Sequence, residues 1–320
     1  MLSYFMSPEL TISDKLVQVM YLLSGFFSMY CGVRAWQKKD NDAYIWTGLF
    51  WFALGIVVAF GQWLPSIVSG IIVAIICIPA ALRKVKRGNL QSASKEEQQR
   101  NFKKIGMKIF IPAFGAGFFS IIISVFLKGW SSLLGSLFAT IVGVILLVIW
   151  NRDNKPMTFL EEGRRFLDMS SAVFIMPLLL SCLGAVFTQA GVGDAFATVF
   201  GKIIPQGNVY IGIIAYAVGM ALFTIIMGNA FAAITVLTVG VGVPFVINLG
   251  ADPLYMVTIA MTCGYCGTLL TPMAANFNIV PGVYLEVKDK YSIIKMQAIP
   301  SIIMLVFQIA YMCIIASRTV

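Results

Sequence analysis

Apolar blocks of bilayer length recur along the chain, at residues 16–33, 43–63, 64–82, 109–127, 129–150, 169–190 and 300–316. Their length limits the fold more than any other feature. An α-helix rises 1.5 Å per residue, so about 20 apolar residues match a hydrocarbon core roughly 30 Å thick. A soluble core cannot absorb this much apolar surface. Hydrophobic residues make up 59% of the 320, and charged residues only 12%, against about 25% charged in soluble domains. Backbone polar groups in lipid must be satisfied within each segment, so the fold class is all-α. The expectation is a polytopic transmembrane bundle with about eight full crossings, a re-entrant hairpin and a discontinuous helix.

Charge gives the threading a direction. Alternating the connections between two sides puts Arg34, Lys38, Lys39, the nine basic residues of 83–108, Arg152, Lys155, Arg164, Arg165, Lys288, Lys290 and Lys295 together. Lys15, Lys128, Lys202 and Arg318 fall on the other side. Nineteen of the 23 basic residues on one side is a positive-inside bias. It places both termini outside a cell (inner) membrane and the basic loops in the cytoplasm. The net charge of +9 is thereby explained as a topological address, with no nucleic-acid partner. Block 16–33 follows Glu9 and Asp14 and leads into a charged loop, so it reads as a retained span and not as a signal peptide.

Two parts follow from the composition. Residues 1–168 hold ordinary spans with cytoplasmic loops at 83–108 and 151–168. Loop 83–108 reads as a solvated linker, a surface helix or a flexible stretch, and 156–168 as a short amphipathic helix at the interface. Residues 169–320 differ, because from 203 to 285 the only charged side chain is Asp252, amid many Gly, Thr, Asn and Pro. The expectation there is a hairpin at about 208–247, a broken helix at about 254–283 and a last span at about 298–316. Segment 191–206, with Phe196 and Phe200 at helical spacing, reads as an outer amphipathic connector.

Two interruptions carry the functional argument. At Gly228-Asn229-Ala230, Asn229 is suited to cap a second arm, exposing free N–H groups at a helix start. A re-entrant hairpin and two full crossings share the same parity, and the low polarity of the turn favours the hairpin. Within Gly267-Thr268-Leu-Leu-Thr271-Pro272-Met-Ala-Ala-Asn276-Phe-Asn278, Thr271 as N-cap with Pro272 at the first helical position is a restart signal. Paired broken helices with amide and hydroxyl side chains are how secondary transporters hold solutes and coupling ions near mid-depth. The candidate binding residues are therefore Gly228, Asn229, Ala230, Gly267, Thr268, Thr271, Pro272, Asn276 and Asn278.

These two motifs, with Ile279-Val280-Pro281 after the second, resemble a bacterial membrane-protein family catalogued as domain of unknown function 979. The resemblance runs over the whole chain. More distantly, their order resembles one repeat of the ion-transporter superfamily of anion and dicarboxylate carriers. There, a hairpin with a Ser-Asn-Thr tip precedes a helix broken at Gly-Thr and Thr-Pro-Pro-Asn. This chain lacks the flanking Ser and Thr and the second Pro, and residues 1–200 hold no second copy of either pattern. The resemblance thus implies half of a transport site. It implies a companion membrane protein supplying the other half and a small organic anion such as 5-oxoproline as substrate. A homo-oligomer is the other assembly considered.

Other chemistries fit poorly. The chain has no His, and Asp194, Asp252 and Glu286 lie near expected membrane surfaces, so a coupling cation would be sodium in preference to a proton. An enzyme would need a nucleophile with a base, or a metal set, and neither is evident. No cofactor or resident metal is expected. Cys263-Gly-Tyr-Cys266 reads as packing, and Gly115-Ala-Gly117 and Gly240-Val-Gly242 as close helix contacts. The tryptophans Trp36, Trp46, Trp51, Trp63, Trp130 and Trp150 read mostly as interfacial anchors. The leading function is a subunit of a secondary-active permease for a small organic anion; the alternative is a noncatalytic scaffold of a membrane complex.

Overall fold

A computed structural model of the chain describes residues 2–39, 41–86, 88, 94–152, 155–170, 179, 182, 185–187, 189–202, 204–205, 207–285, 287–289 and 291–319. The regular elements among them are helical, with no strand. Five helical stretches of the described residues are long and apolar enough to cross a membrane: Ile12–Lys38, Glu96–Phe126, Val209–Met227, Ala230–Leu249 and Ser292–Arg318. The expected span at 169–190 falls largely outside the described residues. Two compact units divide the chain, Met1–Ser171 and Ala172–Val320.

The first unit comprises α1 (Leu2–Met6), α2 (Ile12–Lys38), α3 (Tyr44–Phe60), α4 (Ser66–Ala81), α5 (Lys95–Ile105), α6 (Phe110–Phe126), α7 (Leu134–Trp150) and α8 (Pro156–Ser170). A capping box starts α2: the Asp14 N–H donates to Thr11 Oγ1 and the Thr11 N–H donates back to Asp14 Oδ2, at 3.2 and 3.1 Å. Helix α3 packs along α2. Ser28 Oγ donates across this contact to the Trp51 carbonyl at 2.8 Å. Helices α3, α4 and α7 have 17, 16 and 17 residues, shorter than their apolar blocks.

Several expectations change here. Trp51 lies fully inside α3's packed face, so it is a core residue and not an anchor. Part of the polar loop 83–108 takes the helical form, one of those expected for it, as α5, which continues through a 3-10 turn at Gly106–Ile109 into α6. Gly115 packs against Ala139, but a side chain at Gly117 would meet open space.

Helix α8 forms as the pattern predicts, but with its faces reversed relative to a soluble amphipathic helix. Arg164 and Asp168 are buried, 2% and 4% exposed, while Met157, Phe159 and Phe166 are exposed. Arg164 Nε lies 3.9 Å from Asp168 Oδ2. A helix bordering lipid can turn apolar side chains outward and pair its charges inward.

The second unit comprises α9 (Val192–Gly201), α10 (Val209–Met227), α11 (Ala230–Leu237), α12 (Val243–Phe245), α13 (Pro253–Leu269), α14 (Val280–Tyr284) and α15 (Ser292–Thr319). Its core gathers Ile213, Tyr216, Met220, Leu237, Met256, Cys263 and Met312 from α10, α11, α13 and α15. The 19 residues of α10 and the 20 of Ala230–Leu249 are each long enough to cross a membrane. The second stretch is not one regular helix. A π-helical turn, Thr238–Gly242, and a 3-10 turn, Ile247–Leu249, flank α12. Pro244 accounts for the irregularity, since it has no N–H for the Gly240 carbonyl four residues back.

Segment 191–206 is more than a surface connector. Helix α9 packs against the π-helical turn, where a Cβ on Gly240 would come within 2.5 Å of the Gly193 carbonyl oxygen. Phe196 meets Phe223 of α10 edge to face, centroids 5.2 Å apart.

Candidate functional site

The first interruption is a two-residue corner between α10 and α11. Gly228 ends α10 in the left-handed region (φ 71°), its N–H donating to the Thr224 carbonyl at 2.7 Å. Glycine alone adopts that conformation without a Cβ penalty. Asn229 then begins α11 as an N-cap, its Oδ1 accepting the Phe231 N–H at 2.8 Å. Asn229 and Ala230 are both buried.

At the second interruption, α13 ends at Leu269 because Pro272 has no N–H for the Thr268 carbonyl. Asn278 replaces the missing donor. Its Nδ2 donates to the carbonyls of Thr268 at 3.1 Å, Leu269 at 3.5 Å and Thr271 at 2.7 Å. Thr271 Oγ1 accepts the Met273 N–H at 3.2 Å, closing a tight turn. The chain therefore does not resume helix at Pro272, as the Thr-Pro signal predicts. It resumes at Ala275 with a π-helical turn, Ala275–Ile279, followed by α14. Thr-Pro suits a side-chain-closed turn as well as a helix start, and here Thr271 spends its hydroxyl on the turn.

The two interruptions meet. A Cβ on Gly228 would lie 2.5 Å from the Met273 carbonyl oxygen, so the corner rests directly on the backbone of the break. Behind this contact α10 and α13 run close together. Gly267 lies so near Thr224 Oγ1 and the Ala221 carbonyl that a side chain there would collide with both. Thr224 Oγ1 lies 2.9 Å from each of the Ala221 and Gly264 carbonyls.

Thr268, Thr271 and Asn278 are 1%, 2% and 5% exposed, whereas Pro272 and Met273 are exposed. The backbone of Asn276 lies in the π-helical turn, and its side chain is outside what the structure describes. Asn278 has a further property that its spacing does not reveal. Its Nδ2 is committed to carbonyls, while its Oδ1 is buried and accepts no hydrogen bond.

Helix α15 fixes the level of this cluster. Ser301 Oγ donates to the Cys266 carbonyl at 2.6 Å, and Cys266 Sγ lies 3.6 Å from Gln308 Oε1. The α13 carbonyl thus points toward the lower numbers of α15, and the two helices are antiparallel. One turn beyond Cys266 is Leu270, and one turn before Ser301 is Gln297. At 1.5 Å per residue, Gln297 is about 8 Å along α15 from Ser292, far from the middle of a 28-residue helix. The end of α13 therefore lies level with the N-terminal part of α15. Gln297 lies one turn before Ser301 on α15.

The loop at that end is ordered by polar contacts. Asp289 Oδ1 accepts the Tyr291 N–H at 2.9 Å and Oδ2 accepts from Lys295 Nζ at 3.2 Å. The backbone N–H first, and the ammonium second, hold the Asp289 carboxyl below its ordinary value. Among the described residues no group of three His, Cys, Asp or Glu side chains is placed to hold a metal ion. Cys263 and Cys266 are buried free thiols.

A family model described as "Protein of unknown function (DUF979)" matches residues 18–317. No curated protein and no solved structure matches the chain.

Proposed function

We propose that this chain, which belongs to the DUF979 family, is the solute-binding subunit of a secondary-active permease for a small organic anion. The observation that carries the reading is the seating of Gly228 on the Met273 carbonyl. It joins two separate helix interruptions into one place, where Asn229, Thr268, Thr271 and Asn278 are buried. Broken helices brought together in this way place backbone groups and neutral polar side chains where they can exchange their internal hydrogen bonds for contacts to a solute. The start of α11 contributes N–H groups and the positive end of a helix dipole, which favours a carboxylate.

In this reading the 208–247 pair is a hairpin whose corner stays inside protein. The site opens toward the end bearing Lys295, the side to which positive-inside bias assigns the cytoplasm. The exposed Ile226, Phe231 and Met273 around the corner form an apolar rim on which the companion subunit closes. The distant likeness to anion and dicarboxylate carriers is consistent with a small carboxylate, with 5-oxoproline the first solute to try.

Uptake of labelled 5-oxoproline and small mono- and dicarboxylates, by cells expressing this chain with and without its companion protein, tests the proposal. Uptake should require this chain and be lost on Asn229→Ala with Thr271→Ala, while the variant still inserts. Uptake by the companion alone would make this chain a scaffold and end the reading.

A further inference from the structure

Helices α6 and α7 form a hairpin that is closed at its turn and parted toward its other end. Near the turn a Cβ on Gly135 would collide with the Ser120 backbone, and Ser120 Oγ donates to the Ser132 carbonyl at 3.0 Å. Farther along, a Cβ on Gly115 would make only ordinary contact with Ala139, and one on Gly143 would come no closer than 3.0 Å to Pro112. Small residues that face each other without interlocking leave a groove of about 290 Å³ between the two helices. Its lining, which includes Phe114, Phe118, Val142 and Leu146, is apolar throughout. Phe114 and Phe118 stand exposed along it.

The parted end of the hairpin carries a cluster of positive charge. Lys108 precedes Ile111 and Pro112, both in the groove wall, by three and four residues, so it heads that face of α6. Gly106 interrupts the helical path between α5 and α6 with a positive φ of 55°, which suits glycine. Helix α5 then reaches the end of α7. Lys104 Nζ donates to Asn151 Oδ1 at 3.0 Å, and Asn151 Nδ2 donates to Asn101 Oδ1 at 3.3 Å. Asn151 is buried and directly follows α7. These bonds bring the basic last turn of α5, with Lys103 exposed, to the end of the hairpin that also bears the exposed Lys108 and Arg152. The acidic residues of α5, Glu96 and Glu97, are confined to its first turn.

We propose that this groove and its basic head bind an anionic phospholipid, with the headgroup phosphate against Lys103, Lys108 and Arg152 and an acyl chain between α6 and α7. Basic pockets between membrane helices are where anionic headgroups are held. Each half of the feature accounts for a different half of the ligand. A free phosphate would explain the cations but not the apolar cleft beside them, and a neutral apolar ligand would explain the cleft but not the charge. A partner helix in the groove would have to bring acidic groups to its head. The groove lies wholly within the first unit, so the inference does not depend on the solute site.

The test is thermal unfolding of the purified full chain in an uncharged detergent with dioleoylphosphatidylglycerol, dioleoylphosphatidylcholine or inorganic phosphate added. A ligand of the folded state raises the midpoint with its concentration. Near saturation, phosphatidylglycerol should raise it by roughly 4 °C beyond phosphatidylcholine, and inorganic phosphate should leave it unchanged. Lys103→Gln with Lys108→Gln should lose the difference between the lipids. Val142→Trp, which fills the groove, should lower the response to both. Equal midpoints in the two lipids overturn the proposal, as does a response to inorganic phosphate as large as that to phosphatidylglycerol, or an undiminished difference in the lysine variant. The wild-type comparison decides even if a variant does not fold. Light scattering gives the mass of the solubilised chain alongside. An oligomer that Val142→Trp dissociates while the phosphatidylglycerol response survives assigns the groove to a second copy and also overturns the proposal.

Discussion

Gly228 and Asn278 hold the two interruptions in different ways, and their substitutions should fail differently. Gly228→Ala places a Cβ in the left-handed region and against the Met273 carbonyl. It should destabilise the chain by about 1–3 kcal/mol and abolish uptake. Gly117→Ala, where a Cβ meets nothing within 4 Å, is the matched control and should leave the melting midpoint unchanged or slightly higher. Asn278→Leu should cost about 1–3 kcal/mol by removing the side-chain donor shared by the Thr268, Leu269 and Thr271 carbonyls, read by chemical or thermal unfolding in detergent. The chemistry of Gly228-Asn229 could be read in the sequence because a left-handed glycine and an Asn cap are local devices. The bonds of Asn278 and of Ser301 could not, because both depend on residues seven or more positions away in the chain being folded together.

At the scale of elements, Pro272 separates α13 from the π-helical turn and α14. Pro272→Ala supplies the Thr268 carbonyl with an N–H. It should lengthen α13, raise helicity by circular dichroism and lower uptake, since the turn that places Thr271 and Asn278 would be lost. The loop into α15 responds to acid. Asp289 is held below its ordinary carboxyl value by the Tyr291 N–H and Lys295. Its contribution to loop order is therefore present above the unfolded value and is lost as pH falls through the lowered one. Protection of the Tyr291 amide, taken against its intrinsic exchange rate at the same pH, should fall at acid pH in the wild type and be low at every pH in Asp289→Ala. Periodicity gave helical character to 156–168 and to 191–206, but not what they face. The pattern gives an apolar and a polar face; only the surrounding medium decides that α8 turns Arg164 and Asp168 inward. In the same way, Phe196 and Gly193 seat α9 against its own unit, a contact that no local signal encodes.

Over the whole molecule, apolar blocks and the lopsided charge gave the membrane character, and five helices long and apolar enough to cross a bilayer agree with it. The number of crossings was less legible, because α3, α4 and α7 are shorter than their apolar blocks and α10 with Ala230–Leu249 fits either a hairpin or two crossings by length. Beyond the fold, the proposal is that the corner at Gly228-Asn229 and the break at Thr271-Pro272 form one solute site. The most direct measurement is uptake of labelled 5-oxoproline and related small carboxylates into vesicles reconstituted with this chain and its companion, comparing wild type with Asn229→Ala and Thr271→Ala. The account predicts that each variant inserts and assembles normally yet loses uptake at least tenfold, about 1.4 kcal/mol. Unchanged uptake in both assembled variants would contradict it.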